Sequence, residues 1–228
     1  MAVLVWDESG KRFYETGVKK GVLFVKGTDG KYGNGVAWNG LTAVTETPSG
    51  AEATPLYADD IKYLNLVSAE EFGGTIEAYT YPDEFGACNG EASLVEGVKG
   101  LIVGQQTRKE FGFSYVTTVG NDTEGTACGY KLHIVYNCLA ATSEKAYATI
   151  NNDPEAITFS WEFSTTPVEV GIAGFKPTAI VTIDTTKLTE AELANLKTLE
   201  AKLYGSESEE ASLPSIMEIA EMFGYNKQ

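Results

Sequence analysis

The chain has 228 residues and a mass of 24.5 kDa, which fits one domain, or one domain with a tail, and excludes two full enzyme domains. Hydrophobic residues make up 43% of the sequence and charged residues 21%, so a packed core is expected and wholesale disorder is excluded. The formal net charge is −15. Because proteins that grip nucleic acid place cations on its phosphates, this balance argues against a nucleic-acid-binding module.

The cysteines and the histidine do not form a recognisable site. Cys88, Cys128 and Cys138 are odd in number and lack CxxC spacing, which is typical of a reducing compartment, and they have no zinc-site spacing to His133. No metal or cofactor is therefore expected. The first residues lack the basic stretch of a secretory signal, and no segment approaches the roughly 20 apolar residues that span a bilayer. We expect a protein made in the cytoplasm, with no membrane partner.

Alternation of apolar and polar residues runs from residue 12 to residue 184, with many Val, Ile, Thr and aromatic residues, and it predicts β-strands. Gly, Asn, Asp and Pro mark turns between them, including one at 151–154. A short helix is possible at 68–73 or at 82–88. The predicted strands are 12–17, 21–26, 36–46, 61–68, 74–81, 110–119, 130–139, 145–151, 157–166 and 178–184.

Two of these strands have one aromatic face, which predicts the core. Its candidate residues are Phe111, Phe113, Tyr115, Phe159, Trp161 and Phe163. The opposite faces, Gly112, Ser114 and Val116 on one strand and Ser160, Glu162 and Ser164 on the other, are expected to meet water. By the same alternation, His133 is expected to point outward.

Between the third and fourth predicted strands, residues 46–58 are rich in Pro, Gly and Ala, and we expect a long loop there. A loop of this length is usually functional or mobile. The residues that define it are Glu46, Pro48, Gly50, Glu52 and Pro55.

Helical signals appear only after residue 188. Thr189 and Glu192 have the spacing of a capping box, and Leu193, Leu196, Leu199 and Leu203 follow as one apolar stripe. An acidic linker at 206–212 leads to a second short helix with Ile216, Ile219 and Phe223 on one face. So short a helix needs a surface to dock on, either its own sheet or a neighbouring subunit.

These patterns predict a mainly β fold, a sandwich or barrel with a flanking helix and two C-terminal helices. The β-rich body spans residues 1–187 and the helical segment residues 188–228. No phosphate loop, nucleophile elbow or metalloprotease motif is present in the sequence, and one histidine offers no catalytic triad, so an enzyme is not expected. A carbohydrate-binding or adhesin sandwich stays open, because the placement of Trp6 and Trp38 is undecided.

Several segments, in one order and register from about residue 12 to residue 185, resemble the major tail protein, or tail tube subunit, of long-tailed bacteriophages with non-contractile tails. The inner tube of a contractile tail or injection machine, which has a related fold, is the alternative. The segments that carry the resemblance are 55–63, 104–115, 120–122, 129–133, 149–156 and 159–167.

The resemblance implies a structural protein that forms hexameric rings, stacked into a hollow tube through which phage DNA leaves. It implies further tail proteins as partners, such as the tape measure and the tail terminator. The acidic net charge then suits a wall that DNA passes without adhering, and Ser160, Glu162 and Ser164 are candidates for the channel face. The 46–58 loop is expected to reach the neighbouring ring, and Ile216, Ile219 and Phe223 form a candidate docking helix.

Overall fold

The structure, a computed structural model, describes residues 3–150 and 155–226. It is mainly β, with two helices near the C-terminus and short 3-10 helices at Asp83–Ala87 and Thr185–Lys187. The strands are β1 Phe13–Val25, β2 Val36–Trp38, β3 Leu41–Glu46, β4 Ser49–Gly50, β5 Ala53–Ala58, β6 Ile61–Val67, β7 Glu70–Glu71, β8 Gly73–Ala78, β9 Ala92–Ser93, β10 Ile102–Val103, β11 Phe111–Asn121, β12 Gly125–Ala140, β13 Phe159–Thr165 and β14 Ile180–Asp184; the helices are α1 Glu190–Tyr204 and α2 Ile216–Met222.

One antiparallel sheet organises the body, with strand order β2-β1-β11-β12-β13-β8-β3 and with β14 also paired to β12. The end strands β2 and β3 are consecutive in the chain, separated only by Asn39 and Gly40. The two ends of the sheet therefore lie close together, and the sheet curls around a core as a barrel-like sandwich.

The inner face of the curled sheet encloses an aromatic core. Trp161 contacts Trp38 and Phe85 with ring centroids 5.7 and 5.1 Å apart, in edge-on geometry. Such pairs contribute beyond the apolar area that they bury. Of the aromatic residues predicted for the core, Phe159 is half-buried and the others are buried, namely Phe111, Phe113, Tyr115, Trp161 and Phe163.

The helices cover the outer face of β1, β11, β12 and β14, where they form a second core. Leu196, Leu199 and Leu203 of α1 are fully buried there, together with Leu132 and Ile134 of β12. Each of β11 and β12 is therefore buried on both faces along its middle. None of the helices in the described ranges has the length and apolar character needed to cross a membrane.

This second core overturns the expectation that Gly112, Ser114 and Val116 meet water. Ser114 is fully buried and Val116 nearly so. A Cβ atom on Gly112 would overlap Leu213, in the segment that leads into α2, so a larger residue there would displace that side chain. Small and apolar residues on this face let the C-terminal segment lie directly on the strand.

Both helices begin as the sequence predicts. In α1, the amide of Thr189 donates to Glu192 Oε2 at 2.7 Å and the amide of Glu192 donates to Thr189 Oγ1 at 3.4 Å. Ser215 and Glu218 form the same capping box at α2. These contacts satisfy amides that the first turn of a helix leaves without partners.

Several strand boundaries differ from those predicted. Segments 12–17 and 21–26 form one continuous strand, β1, with bulges near Lys19, and segment 36–46 divides into β2 and β3. Residues 145–150 are not a strand, and the predicted turn at 151–154 lies outside the described residues. Of the two possible short helices, 83–87 is a 3-10 helix, whereas 68–73 contains strand.

Truncating Leu199 to Ala should destabilise the whole domain, because α1 and the sheet share one core. Removing a fully buried leucine typically costs about 2–5 kcal/mol of unfolding free energy. Leu66→Ala, at a leucine that is 57% exposed on β6, is the matched control and should change the unfolding free energy by less than about 0.5 kcal/mol. Urea denaturation followed by circular dichroism and tryptophan fluorescence measures both variants. If α1 melts separately while the sheet signal is unchanged, the shared core is wrong.

Candidate interaction surfaces

A long β-hairpin, residues 47–72, projects from the body; we call it the hairpin arm. Its two strands pair through β4 with β7 and through β5 with β6. At the tip, Asp59 and Asp60 have φ of 49° and 62° between the paired residues Ala58 and Ile61, as in a two-residue type I′ turn. The expected loop at 46–58 is thus wrong: Glu46 ends β3, and Pro48, Gly50, Glu52 and Pro55 lie on one side of a hairpin.

The hairpin arm exposes an unusual amount of apolar surface. Every residue from 48 to 71 is exposed. Soluble monomers rarely present so many contiguous large apolar side chains, and such patches mark contact surfaces. The large apolar residues exposed here are Leu56, Tyr57, Ile61, Tyr63, Leu64, Leu66 and Val67.

The root of the arm is fixed to the body by backbone contacts. The amide of Thr47 donates to the carbonyl of Gly73 at 2.8 Å, which closes the hairpin. The Thr165 hydroxyl donates to the carbonyl of Phe72 at 2.6 Å, and the Phe72 and Phe163 rings lie 6.4 Å apart. The arm therefore leaves the body in a defined direction.

A polar cluster, Glu46, Tyr115 and His133, also holds the root. The Tyr115 hydroxyl donates to Glu46 Oε1 at 2.6 Å, and His133 Nδ1 lies 3.3 Å from the same oxygen. The imidazole stacks on the Tyr115 ring at 4.6 Å. The hydrogen bond from His133 is the largest influence that lowers the pKa of Glu46, whereas burial, followed by the bond to Glu46, raises the pKa of Tyr115.

The expectation that His133 points outward is wrong, since it is only 8% exposed. Neighbouring strands cover it on both sides: Thr117 Oγ1 of β11 lies 3.0 Å from Nε2, and Thr182 Oγ1 of β14 lies 3.4 Å from Nδ1. Alternation assigns a residue to a face of the sheet. It does not reveal that other groups cover that face.

Besides the end strands β2 and β3, which are paired on one side only, two edges of the sheet lack strand partners in the described part of the chain. One is the outer side of β1 over residues 13–20, and the other is the outer side of β14. In this half of the sheet the strand order is β1, β11, β12, β14, and every pairing is antiparallel. The two edge strands therefore run in opposite directions, and a second copy placed alongside would continue the antiparallel pattern.

A polar, acidic face lies on the outer side of β8 and β13. Glu162 and Ser164 are exposed and Ser160 is half-buried, while the alternate residues Trp161 and Phe163 point into the core. In register, Ser160 lies opposite Glu77, Glu162 opposite Thr75 and Ser164 opposite Gly73. The face formed by these six residues contains two carboxylates and no cation.

The remaining candidate groups are built into the body. Ile216 and Ile219 of α2 are buried against the chain's own sheet, and Phe223 is half-buried beside them. Trp38 is buried in the aromatic core, which leaves Trp6 as an exposed tryptophan.

Cys88 and Cys138 are buried free thiols, and burial raises the pKa of Cys88 to about 12. Within the described ranges, no group of three or more His, Cys, Asp or Glu could hold a metal ion.

Comparisons with known protein families and with curated proteins return no match. Among solved structures, the SPP1 tail tube is similar at 11% identity over 64% of this chain and 73% of that chain, with a TM-score of 0.37. A chain of the anti-feeding prophage baseplate is similar at 9% identity over 82% and 100%, with a TM-score of 0.36. A chain of the PVC extracellular contractile injection system sheath-tube complex is similar at 12% identity over 79% and 93%, with a TM-score of 0.28. Since all three scores lie below 0.5, the function proposed below rests on the chain's own surfaces.

Replacing Glu46 with Gln should flatten the acid limb of the stability profile. A carboxyl whose pKa is lowered by folding stabilises the protein above its unfolded pKa, and that contribution is lost as the pH falls through the lower, folded pKa. The unfolding free energy of the wild type should therefore fall more steeply below about pH 4.5 than that of Glu46→Gln. Urea titrations across a pH series measure this difference.

The matched control is Glu52→Gln, at an exposed carboxylate of the hairpin arm. It should keep the wild-type acid profile, because the Glu52 side chain has no hydrogen-bond partner among the described residues. Parallel profiles for wild type and Glu46→Gln would show that the cluster does not stabilise the root.

Proposed function

We propose that this chain is the structural subunit of a bacteriophage tail tube, which assembles into stacked hexameric rings through which DNA is ejected. The observation that carries the proposal is the hairpin arm, whose exposed apolar residues have no surface to pack on within the chain's own described body. An arm fixed at its root and apolar along its length is suited to a contact with another copy of the chain. In this assembly the arm joins one ring to the next.

The unpaired sheet edges supply contacts within a ring. The outer side of β1 on one copy and β14 on the next are different surfaces, so their pairing is head-to-tail and closes into a ring when the rotation between copies fits. Backbone hydrogen bonds between copies would also remove exposed edges, which are a liability in a soluble protein. The all-antiparallel order is kept at every such junction.

The acidic balance fits the passage of DNA. The face with Ser160, Glu162 and Ser164 presents carboxylates and no cations, and the whole subunit has a net charge of −15. Repeated around a ring, a wall of this kind repels phosphates and so lets a polyanion slide. We assign this face to the lumen of the tube.

In this proposal the protein is a virion component and not an enzyme, and it is assembled in the cytoplasm of the host bacterium. Its partners are other copies of itself and further tail proteins such as the tape measure and the tail terminator. The tail is of the long, non-contractile type; the inner tube of a contractile tail would need, in addition, an outer surface that binds a sheath.

Replacing residues 48–71 with an Asn-Gly turn should leave a folded subunit that forms no tubes. The hydrogen bond between Thr47 and Gly73 already brings the two ends of the arm together, so Asn-Gly followed by Phe72 can close the short loop between them. Negative-stain electron microscopy of the concentrated wild type should show hollow rods, whereas the variant, which keeps its sheet edges, should show single rings at most. Circular dichroism and urea denaturation confirm that the variant folds. Rods of normal length from the variant would overturn the role of the arm.

Reversing the charge of the proposed lumen should make tubes retain DNA. Glu77→Lys with Glu162→Lys adds lysines to the acidic face, and the matched control, Glu207→Lys with Glu209→Lys, makes the same change of net charge in the acidic linker. Tubes of the first variant should bring down several-fold more short DNA on pelleting at low salt, and this excess should fall steeply as salt is raised. Equal retention by both variants would remove this face from the lumen. If the lysines prevent assembly, Glu77→Gln with Glu162→Gln, which only removes the two negative charges, takes their place in this test.

A further inference from the structure

A cavity of about 790 Å³ opens beside the 3-10 helix Asp83–Ala87; we call it the helix cavity. Its apolar wall includes Tyr81 and Phe159, whose rings meet edge-on at 5.5 Å, together with Ala87 and Ile102. None of the uses proposed above for the fold involves this cavity. It is large enough for several side chains, and an aromatic wall is suited to holding apolar groups.

Backbone and charged contacts hold the shape of the cavity. The amide of Lys109 donates to the carbonyl of Ala87 at 3.0 Å. Arg108 donates to the carbonyl of Ala140 at 3.2 Å and to that of Ala141 at 3.0 Å, which ties the wall to the end of β12. A preformed pocket of this kind loses little conformational entropy when it is filled.

Lysines at the rim are available for a partner. Lys109 forms no salt bridge in the described part of the chain, and Lys99 lies 3.7 Å from Asp83 in a pair whose side chains are both more than three-quarters exposed. An exposed pair at this distance is weak and exchanges readily. Of the other acids around the cavity, Glu91 is bound to Lys145 at 2.9 Å, and Glu84 stays at the rim.

The tip of the hairpin arm has the complementary chemistry. Asp59 and Asp60 stand at its end, and Tyr57, Ile61 and Tyr63 beside them are 65–70% exposed. Two carboxylates between apolar side chains, with Lys62 as the cation beside them, match a cavity with lysines at the rim and aromatic rings within. Complementary charge selects this orientation over its alternatives.

The arm and the cavity lie at opposite ends of strand β8. The arm joins β8 at Gly73, whereas Thr80 and Tyr81 of the cavity follow its other end at Ala78. Six residues of strand separate the two features by about 20 Å. A projection at one end and a receptor at the other make a heterologous contact that repeats from copy to copy, rather than a symmetric dimer.

We propose that the tip of the hairpin arm of one copy docks in the helix cavity of the next copy along the tube, with Asp59 and Asp60 on Lys99 and Lys109 and with Tyr57, Ile61 and Tyr63 against Tyr81 and Phe159. The proposal rests on the proposed function for its setting, since repeated docking stacks rings. The contact itself needs only two copies and can be measured without a tube.

Two full chains, each impaired on one side, test the contact. The first carries Lys99→Glu with Lys109→Glu and keeps its arm; the second has residues 48–71 replaced by Asn-Gly and keeps its cavity. The charge-reversed lysines should prevent docking in the first chain's own cavity. At concentrations below those at which the sheet edges associate, the expected result is therefore no dimer when two arms meet only reversed cavities, or when the second chain is alone. Because the second chain offers an unmodified cavity, the mixture should give a one-to-one dimer by sedimentation and light scattering.

A mixture that stays monomeric up to the solubility limit overturns the docking, whatever the wild type does. If the mixture gives the heterodimer but the wild type forms no rods, the result supports the docking and contradicts the proposed function. If the wild type and the variant Lys99→Glu with Lys109→Glu form rods equally well, the proposed function stands but the cavity has no part in it. The matched control for net charge is Lys176→Glu with Lys197→Glu, at exposed lysines away from the cavity, which should assemble as the wild type does.

Exchanging the charges separates recognition from folding of the arm. Asp59→Asn with Asp60→Gly strengthens the type I′ turn while it removes both carboxylates, so it should weaken association at least several-fold without unfolding the arm. Asp59→Lys with Asp60→Lys should also fail to associate with wild-type cavities, and adding Lys99→Glu with Lys109→Glu should restore association at least in part. If Asp59→Asn with Asp60→Gly associates fully, and the variant that carries both lysine and glutamate replacements does not recover association, these charges do not meet.

Discussion

The burial of β11 and β12 on both faces is the constraint on which the rest of the structure depends. On the inner face Phe113 packs in the aromatic core, and on the outer face Leu132 and Ile134 pack under α1. A strand pair buried on both sides cannot slip in register, because a shift of one residue would exchange the residues of the two cores. β12 is the longest strand of the fold, with 16 residues, and β11 has 11, so the pair connects features at both ends of the body.

From this rigid centre follows the contrast between body and arm. The body buries its aromatic side chains and closes its core with the helices, while the hairpin arm leaves Tyr57, Ile61 and Tyr63 in water. Two strands alone are marginally stable, so the arm depends on its root for its conformation. Glu46 links the arm to Tyr115 of β11 and to His133 of β12, which makes the direction of the arm a consequence of the central strand pair.

Much of the fold is readable in the sequence where a local rule decides it. Alternation identifies the inward residues of β13, and the capping boxes at Thr189 and Ser215 mark real helix starts. Alternation fails for Ser114, because a period of two gives the face of a strand and not whether a helix covers it. It also misses β5, since Ala53, Pro55 and Ala58 have weak strand propensity and the segment pairs only because β6 lies opposite.

The candidate surfaces are harder to predict, because each combines residues that are distant in sequence. Residues 46, 115 and 133 meet only once three strands are in register, and the helix cavity needs residues 81, 87, 102 and 159 together. A local signal was available for the arm: Asp59-Asp60 between the apolar runs 53–58 and 61–67 has the form of a two-residue hairpin turn.

The net charge of −15 and the apolar arm act against each other, and their ranges decide which dominates. Repulsion between acidic subunits extends over about 8 Å at physiological salt, whereas burial of apolar residues acts only in contact. Dilute subunits are therefore kept apart by charge in spite of exposed Leu66 and Val67. Once two copies are held in register, the stabilisation from apolar contacts remains, while salt weakens the electrostatic repulsion between the copies. In the assembly that we propose, a subunit built in this way resists random aggregation and adds to an existing end, where the geometry is already set.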